Sequence, residues 1–183
     1  PISGLILIGA STGGTEALRQ ILPRLPADMP GICVVQHIPA GFSAAFAKRL
    51  DELCQLTVRE AVDRDTIADG TILIAPGGWH MVLKRSGAGY RVDLSKGPKI
   101  HYQRPSVDVL FDGAHRAGLG PKTLAVLLTG MGVDGAAGML SLRNAGAETV
   151  VQDEATSVIF GMPREAIRIQ AAQEILPLGT VSG

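Results

Sequence analysis

Three apolar runs lack the alternation of a half-buried strand: residues 4–10 (GLILIGA), 31–37 (GICVVQH) and 123–128 (TLAVLL). A strand that is apolar on both faces must be covered on both faces, which is the situation of a parallel sheet between two helical layers. Each run is followed by helix-type spacing. After the first, Ala17, Leu18, Ile21, Leu22 and Leu25 define one face, closed by Pro23 and Pro26. After the second, Phe42, Phe46, Leu50, Leu53 and Cys54 do the same. Further strands are expected at 56–59, 71–75 and 147–151, and 173–176 reads as either the last strand or the start of a helix. Helices are expected from Ser106, over 135–145 with Gly146 as a stop, and over 165–169. Residues 80–95 differ: MVLKR, SGAG and YRVDL alternate around a glycine turn, the signature of a hairpin. The sum is an α/β chain, a doubly wound, mostly parallel sheet in a Rossmann-like α/β/α sandwich with an antiparallel hairpin insertion. With no repeat or linker-like tract, residues 1–183 read as a single domain.

Composition narrows the function. Seventeen basic and seventeen acidic residues cancel, so no electrostatic drive toward nucleic acid exists. The apolar runs are far too short to span a bilayer, and no signal-peptide pattern is present, so no membrane insertion and a cytoplasmic location are expected. Cys33 and Cys54 read as apolar thiols, with no metal-ligand spacing around them. The chain opens on Pro1 and is read as a piece of a longer protein.

In parallel sheets, ligands bind beyond the carboxyl ends of the strands. Ser11 follows the first run, His37 ends the second, and Asp134 follows the third through TGMGVDG. Residues 9–13 match G-x-S-x-G between a strand and a helix, the setting of a nucleophile elbow. A serine hydroxyl is a weak nucleophile until an imidazole accepts its proton and a carboxylate fixes that imidazole's tautomer. Each residue also has a plainer use: Ser11 as a cap of its helix, His37 as a structural strand-end histidine, Asp134 as a cap of the helix over 135–145. Nucleotide binding is the rival for the first turn. It lacks G-x-G-x-x-G, a Walker sequence, and an acid at the end of the second strand, where Gln36 and His37 stand. His80, His101 and His115 read as structural or solvated, and Trp79 as either cleft-lining or packed under the hairpin.

Six segments in order, GASTGG, VVQHIP with GFSAAFAKRL, APGGWHM, RPSVDVLF, LLTGMGVDGAAGM and VQDEATSVIFGMPREA, resemble the catalytic domain of CheB-type chemotaxis methylesterases. The resemblance implies hydrolysis of γ-glutamyl methyl esters on the cytoplasmic helices of methyl-accepting chemotaxis receptors, releasing methanol, with additional deamidation of receptor glutamines. It implies Ser11 as nucleophile, His37 as general base, Asp134 as its orienting carboxylate, and the Met131 amide in the oxyanion hole. The Thr12 amide is the expected second donor. No metal or cofactor is required by that chemistry. The family's N-terminal phosphorylatable receiver domain has no counterpart in these residues and is expected, if anywhere, upstream in the parent protein. A receptor-binding module with a decayed site is the non-enzymatic rival.

Overall fold

The computed structural model describes residues 3–183; Pro1 lies outside them. The chain runs β1 (Leu5–Ala10), α1 (Gly14–Ile21), β2 (Gly31–Gln36), α2 (Ser43–Leu53), β3 (Thr57–Glu60), β4 (Asp65–Thr66), β5 (Thr71–Ile74), β6 (His80–Ser86) and β7 (Gly89–Ser95). It continues through α3 (Val107–Arg116), β8 (Thr123–Leu127), α4 (Ala136–Asn144), β9 (Glu148–Gln152), α5 (Met162–Arg168), β10 (Glu174–Leu176) and α6 (Leu178–Val181). Seven strands form one sheet in the order β10-β9-β8-β1-β2-β5-β3, and every pairing in it is parallel.

The continuous apolar runs have the predicted consequence. Leu5 and Leu7 of β1, with Cys33, Val35, Leu73, Ala125 and Leu127, face one layer containing α3, α4 and α5. Ile8 and Ala10, with Ile32, Val34, Ile72, Ile74, Val126 and Leu128, face the other, containing α1, α2 and α6. Burying each such side chain is worth about 1.5–3 kcal/mol, so the alternation fixes which way every strand end points.

The hairpin β6–β7 forms as read, but it gains a third strand, β4, in a separate antiparallel sheet. Two residues are too few to show a period, which hid β4 from the pattern. The first helix stops at Ile21, and Pro23 sits in a following 3-10 turn. In α2 the inward residues are Ser43, Ala47 and Leu50, whereas Phe42 and Leu53 are 64% and 48% exposed. The apolar spacing there overstated the buried face. Helix α5 begins at Met162, three residues earlier than the periodicity suggests, because Pro163 in a first turn forfeits only an amide that has no partner anyway. The short helix α6 was not anticipated.

The strand order places β1 in the middle, with β2 on one side and β8 on the other. The chain winds outward from β1 in both directions, so the crevice of this sheet opens at the carboxyl ends of these three strands. Their ladder extends past the strands. Ser11 N–H donates to Thr129 O (3.0 Å), His37 N–H to Ala10 O (3.0 Å), and Leu128 N–H to Gly9 O (2.9 Å). Residues 11, 37 and 129 are thereby held side by side at one rim.

Candidate active site

Glycines decide how closely the surrounding segments approach Ser11. Gly13 takes φ 82° and turns the chain into α1, for which it is the N-cap residue. Ser11 makes no side-chain cap there, which removes that use for it. Gly9 has a different reason. A Cβ on it would lie 2.6 Å from Val107 Cγ2 and 3.0 Å from Leu127 Cδ2, so its bareness admits the start of α3 against β1. Gly9 lies within β1 and serves close packing, not the turn. A Cβ on Gly130 would lie 2.7 Å from Ser11 Cβ and 2.9 Å from Ser11 N. Gly130 therefore brings the Met131 loop directly against the serine.

That loop is braced by the segment after β9. Gly130 N–H donates to Ile159 O (3.0 Å), while Gly161 and Met162 N–H both donate to Gly130 O (3.1 and 2.9 Å). The Thr129 hydroxyl donates to Thr12 O (3.0 Å). Gln36, fully covered, donates to Ser11 O (2.8 Å) and His37 O (3.2 Å), tying the two strand ends together. The amides of Thr12 and Met131 donate to no acceptor among the described residues. An N–H beside Ser11 and another beside Gly130 are thus free to donate, which is what an oxyanion hole requires.

His37 Nε2 lies 2.7 Å from Asp134 Oδ2. Asp134 is only 1% exposed, yet it is well supplied with donors. The Ser106 hydroxyl and the Asp108 N–H donate to Oδ1 (2.8 and 3.0 Å), and the Val107 N–H donates to Oδ2 (2.8 Å). Burial pushes the carboxyl upward in pKa, but the bonds from His37 and from the α3 amides outweigh it, and the group is held below its ordinary 3.8. Asp134 is therefore an anion that can only accept, so His37 Nε2 carries the proton and Nδ1 keeps a free lone pair. Nδ1 is buried and has no partner. The ring is turned the opposite way from a trypsin-type triad, in which Nδ1 faces the aspartate.

The expected cap of α4 by Asp134 is absent; Gly135 holds that position with φ 92°. Asp134 instead caps α3, a helix that begins 27 residues before it in the chain. Sequence reasoning placed Ser106 correctly at the start of α3 but missed its hydroxyl's bond to Asp134. Behind it stands His80, 3% exposed, whose Nδ1 accepts the Ser106 N–H (3.2 Å) while its Nε2 bonds Pro98 O (2.8 Å). Its structural reading holds. His101 pairs with Asp108 (2.9 Å), and ligand-type atoms of His101, Asp108 and Asp134 lie within 4.8 Å of one another. Both Asp134 oxygens already accept two hydrogen bonds each, which leaves that trio poorly suited to a cation.

Ser11 and His37 line one cleft of about 480 Å³, walled also by Ile38, Pro39, Lys99 and Arg104. No hydrogen bond joins the Ser11 hydroxyl to the ring; such bonds commonly close only when substrate is bound. Gly78 lines the cleft and Trp79 does not; the Lys96 ammonium lies 4.6 Å from the centre of the Trp79 ring.

A doubly wound parallel sheet with a serine, a carboxylate-bound imidazole and free amides at its central rim defines the class: an α/β domain with the equipment of a serine esterase. Within that class, the chain belongs to the CheB methylesterase family, whose family description matches residues 6–183. It is 57% identical over 174 residues to the protein-glutamate methylesterase/protein-glutamine glutaminase 2 of Rhodospirillum rubrum, covering 95% of this chain and 48% of the relative. It is 52% identical over 178 residues to the like-named protein of Syntrophus aciditrophicus, covering 97% of this chain and 52% of that one. The chain thus spans about half the length of these curated relatives. The crystal structure of the Thermotoga maritima CheB methylesterase catalytic domain superposes with a TM-score of 0.95 at 40% identity, covering 98% of this chain and 95% of that one. No described helix is long and apolar enough to cross a membrane.

Proposed function

We propose that residues 1–183 form a single catalytic domain that hydrolyses γ-glutamyl methyl esters on the cytoplasmic helices of chemotaxis receptors. The observation that carries the mechanism is the state of His37: Nε2–H committed to an ionised Asp134, and Nδ1 buried without a partner in the cleft it shares with Ser11. Nδ1 accepts the serine proton as Ser11 Oγ attacks the ester carbonyl. The tetrahedral oxyanion is held by the Thr12 and Met131 amides, each such donor being worth on the order of 10²–10³ in rate. Protonated His37 then gives its Nδ1 proton to the departing methoxide, and methanol leaves. Water, deprotonated by the same nitrogen, cleaves the glutamyl-enzyme to free glutamate. Asp134 stays ionised and stabilises the imidazolium. The steps need neither metal nor cofactor.

A glutamine side chain presents the same carbonyl with an amine in place of the alkoxide, so the site also supports deamidation, with ammonia as the leaving group. The names of the curated relatives carry both activities. Their additional length leaves room for the phosphorylatable receiver domain that the resemblance implies. Receptor helices lie in the cytoplasm, which places the reaction there.

Methanol release from methylated receptor helices, compared between the wild-type chain and Ser11→Ala, tests the reading. Wild type releases methanol, and Ser11→Ala, folded by circular dichroism, does not. Receptor binding without methanol release by wild type would instead identify a binding module. Turnover retained by Ser11→Ala would remove the serine from the mechanism.

A further inference from the structure

The cleft has one wall that the hydrolytic steps leave unused. It is a turn in which Ile100 and Gln103 exchange backbone hydrogen bonds (3.0 and 2.9 Å). Its two central residues, His101 and Tyr102, take φ 51° and 63°, a left-handed conformation costly for residues with a Cβ. His101 is tied down by Asp108 at 2.9 Å, while Tyr102 stands 94% exposed at the cleft mouth. Strain of this kind persists where the surroundings impose it, and it gathers at binding sites.

Arg104 leaves this turn into the cleft with an incomplete set of partners. Its Nη1 donates to Gly97 O (3.2 Å) and Lys96 O (3.4 Å), which fixes the guanidinium in place. Its Nε is buried with no acceptor, and no Nη2 bond is made among the described residues. Nη2, unlike the buried Nε, is not enclosed, so its N–H groups are the donors that a carboxylate entering the cleft can reach. No carboxylate in the described chain pairs with Arg104 or with Lys99 on the same wall. In a chain with balanced charge, two unpaired cations facing one cleft beside Ser11 make a local positive wall.

We propose that Arg104 is the cleft's carboxylate anchor, binding an ionised acidic side chain one helical turn from the esterified glutamate, so that the enzyme selects esters with an acidic neighbour. The inference rests on the esterase reading and deepens it by naming what the substrate must present besides the ester. Residues three or four apart share a helix face, so an ester at Ser11 and a carboxylate at Arg104 are compatible with one bound helix.

The test uses the full chain and helical peptides that carry one γ-methyl glutamate and, four residues away, Glu, Gln or Lys. Wild type should show a kcat/KM for methanol release about tenfold higher with Glu than with Gln, the scale of one charge-assisted bond in a partly wet site. The ratio should shrink as salt is raised. Arg104→Gln should bring the ratio to near one, Arg104→Lys should keep part of it, and Arg104→Glu should favour the Lys peptide. Equal kcat/KM on the Glu and Gln peptides with wild type, a comparison that needs no variant to fold, overturns the anchor. A wild-type ratio preserved in Arg104→Gln overturns it as well. Absence of methanol from every peptide is a different failure and overturns the esterase reading itself.

Discussion

Asp134→Asn is the substitution on which structure and chemistry make the sharpest joint demand. The carboxylate accepts four hydrogen bonds, two at each oxygen. An asparagine keeps one oxygen and replaces the other with an NH₂ group that faces two donors. If that group lies toward Oδ2, it confronts His37 and the Val107 N–H; toward Oδ1, it confronts Ser106 and the Asp108 N–H. Either way the charge is lost and a buried donor goes unpaired. Charge-assisted bonds are worth about 1.5–3 kcal/mol each. Breaking a buried ionic arrangement from one side typically costs about 3–5 kcal/mol. For a domain of this length, that lowers Tm by roughly 6–20 °C. The rate should suffer more. With the NH₂ toward Oδ2 it donates to Nε2 and drives the proton onto Nδ1, the nitrogen that in the proposed mechanism takes it from Ser11; with the NH₂ toward Oδ1 the imidazolium loses its anion; a loss on the order of 10⁴ in kcat is expected.

Thermal unfolding followed by circular dichroism reads the first quantity. Methanol release at 20 °C, with both proteins folded, reads the second. The pH dependence supplies a third. Asp134 is held below its ordinary 3.8, so its stabilisation is fully present above that value and fades as pH falls through the folded-state pKa. The stability gap between wild type and Asp134→Asn should therefore be flat at neutral pH and narrow in that acid range. A variant with kcat within tenfold of wild type, or with an unchanged Tm, would refute the reasoning.

Two further substitutions probe the supports. Ser106→Ala removes one of the four donors to Asp134 and leaves its own amide on His80; about 1–2 kcal/mol of stability and no more than roughly tenfold in kcat should be lost, read by denaturant titration and steady-state kinetics. Gly130→Ala places a methyl 2.5 Å from Met162 Sδ and 2.7 Å from Ser11 Cβ. It should cost about 1–3 kcal/mol and, by pushing the Met131 amide away, on the order of 10²–10³ in kcat with little change in KM; a stability loss with unchanged kcat would remove Met131 from the oxyanion hole.

Much of the site was legible because its residues follow runs whose burial is written locally. The absence of alternation in 4–10, 31–37 and 123–128 tells of a two-sided sheet, and the residues that end or follow each run then fall toward the carboxyl rim. Ser11 and His37 become candidates that way; Asp134, six residues past the third run, becomes one through the loop that follows it, and the family resemblance implies Met131. Tertiary structure settled what each of them touches. Asp134 and His37 are separated by 97 residues, and no local pattern says which ring nitrogen meets the carboxylate. Nor does one say that Asp134 caps α3 rather than the helix it precedes, that Gly9 makes room for Val107, or that Arg104 keeps donors without a partner. A periodicity reports the environment one segment requires, because burial acts on each side chain separately. A hydrogen bond between distant segments depends on relative positions to within a fraction of an ångström, and those exist only once the layers have packed.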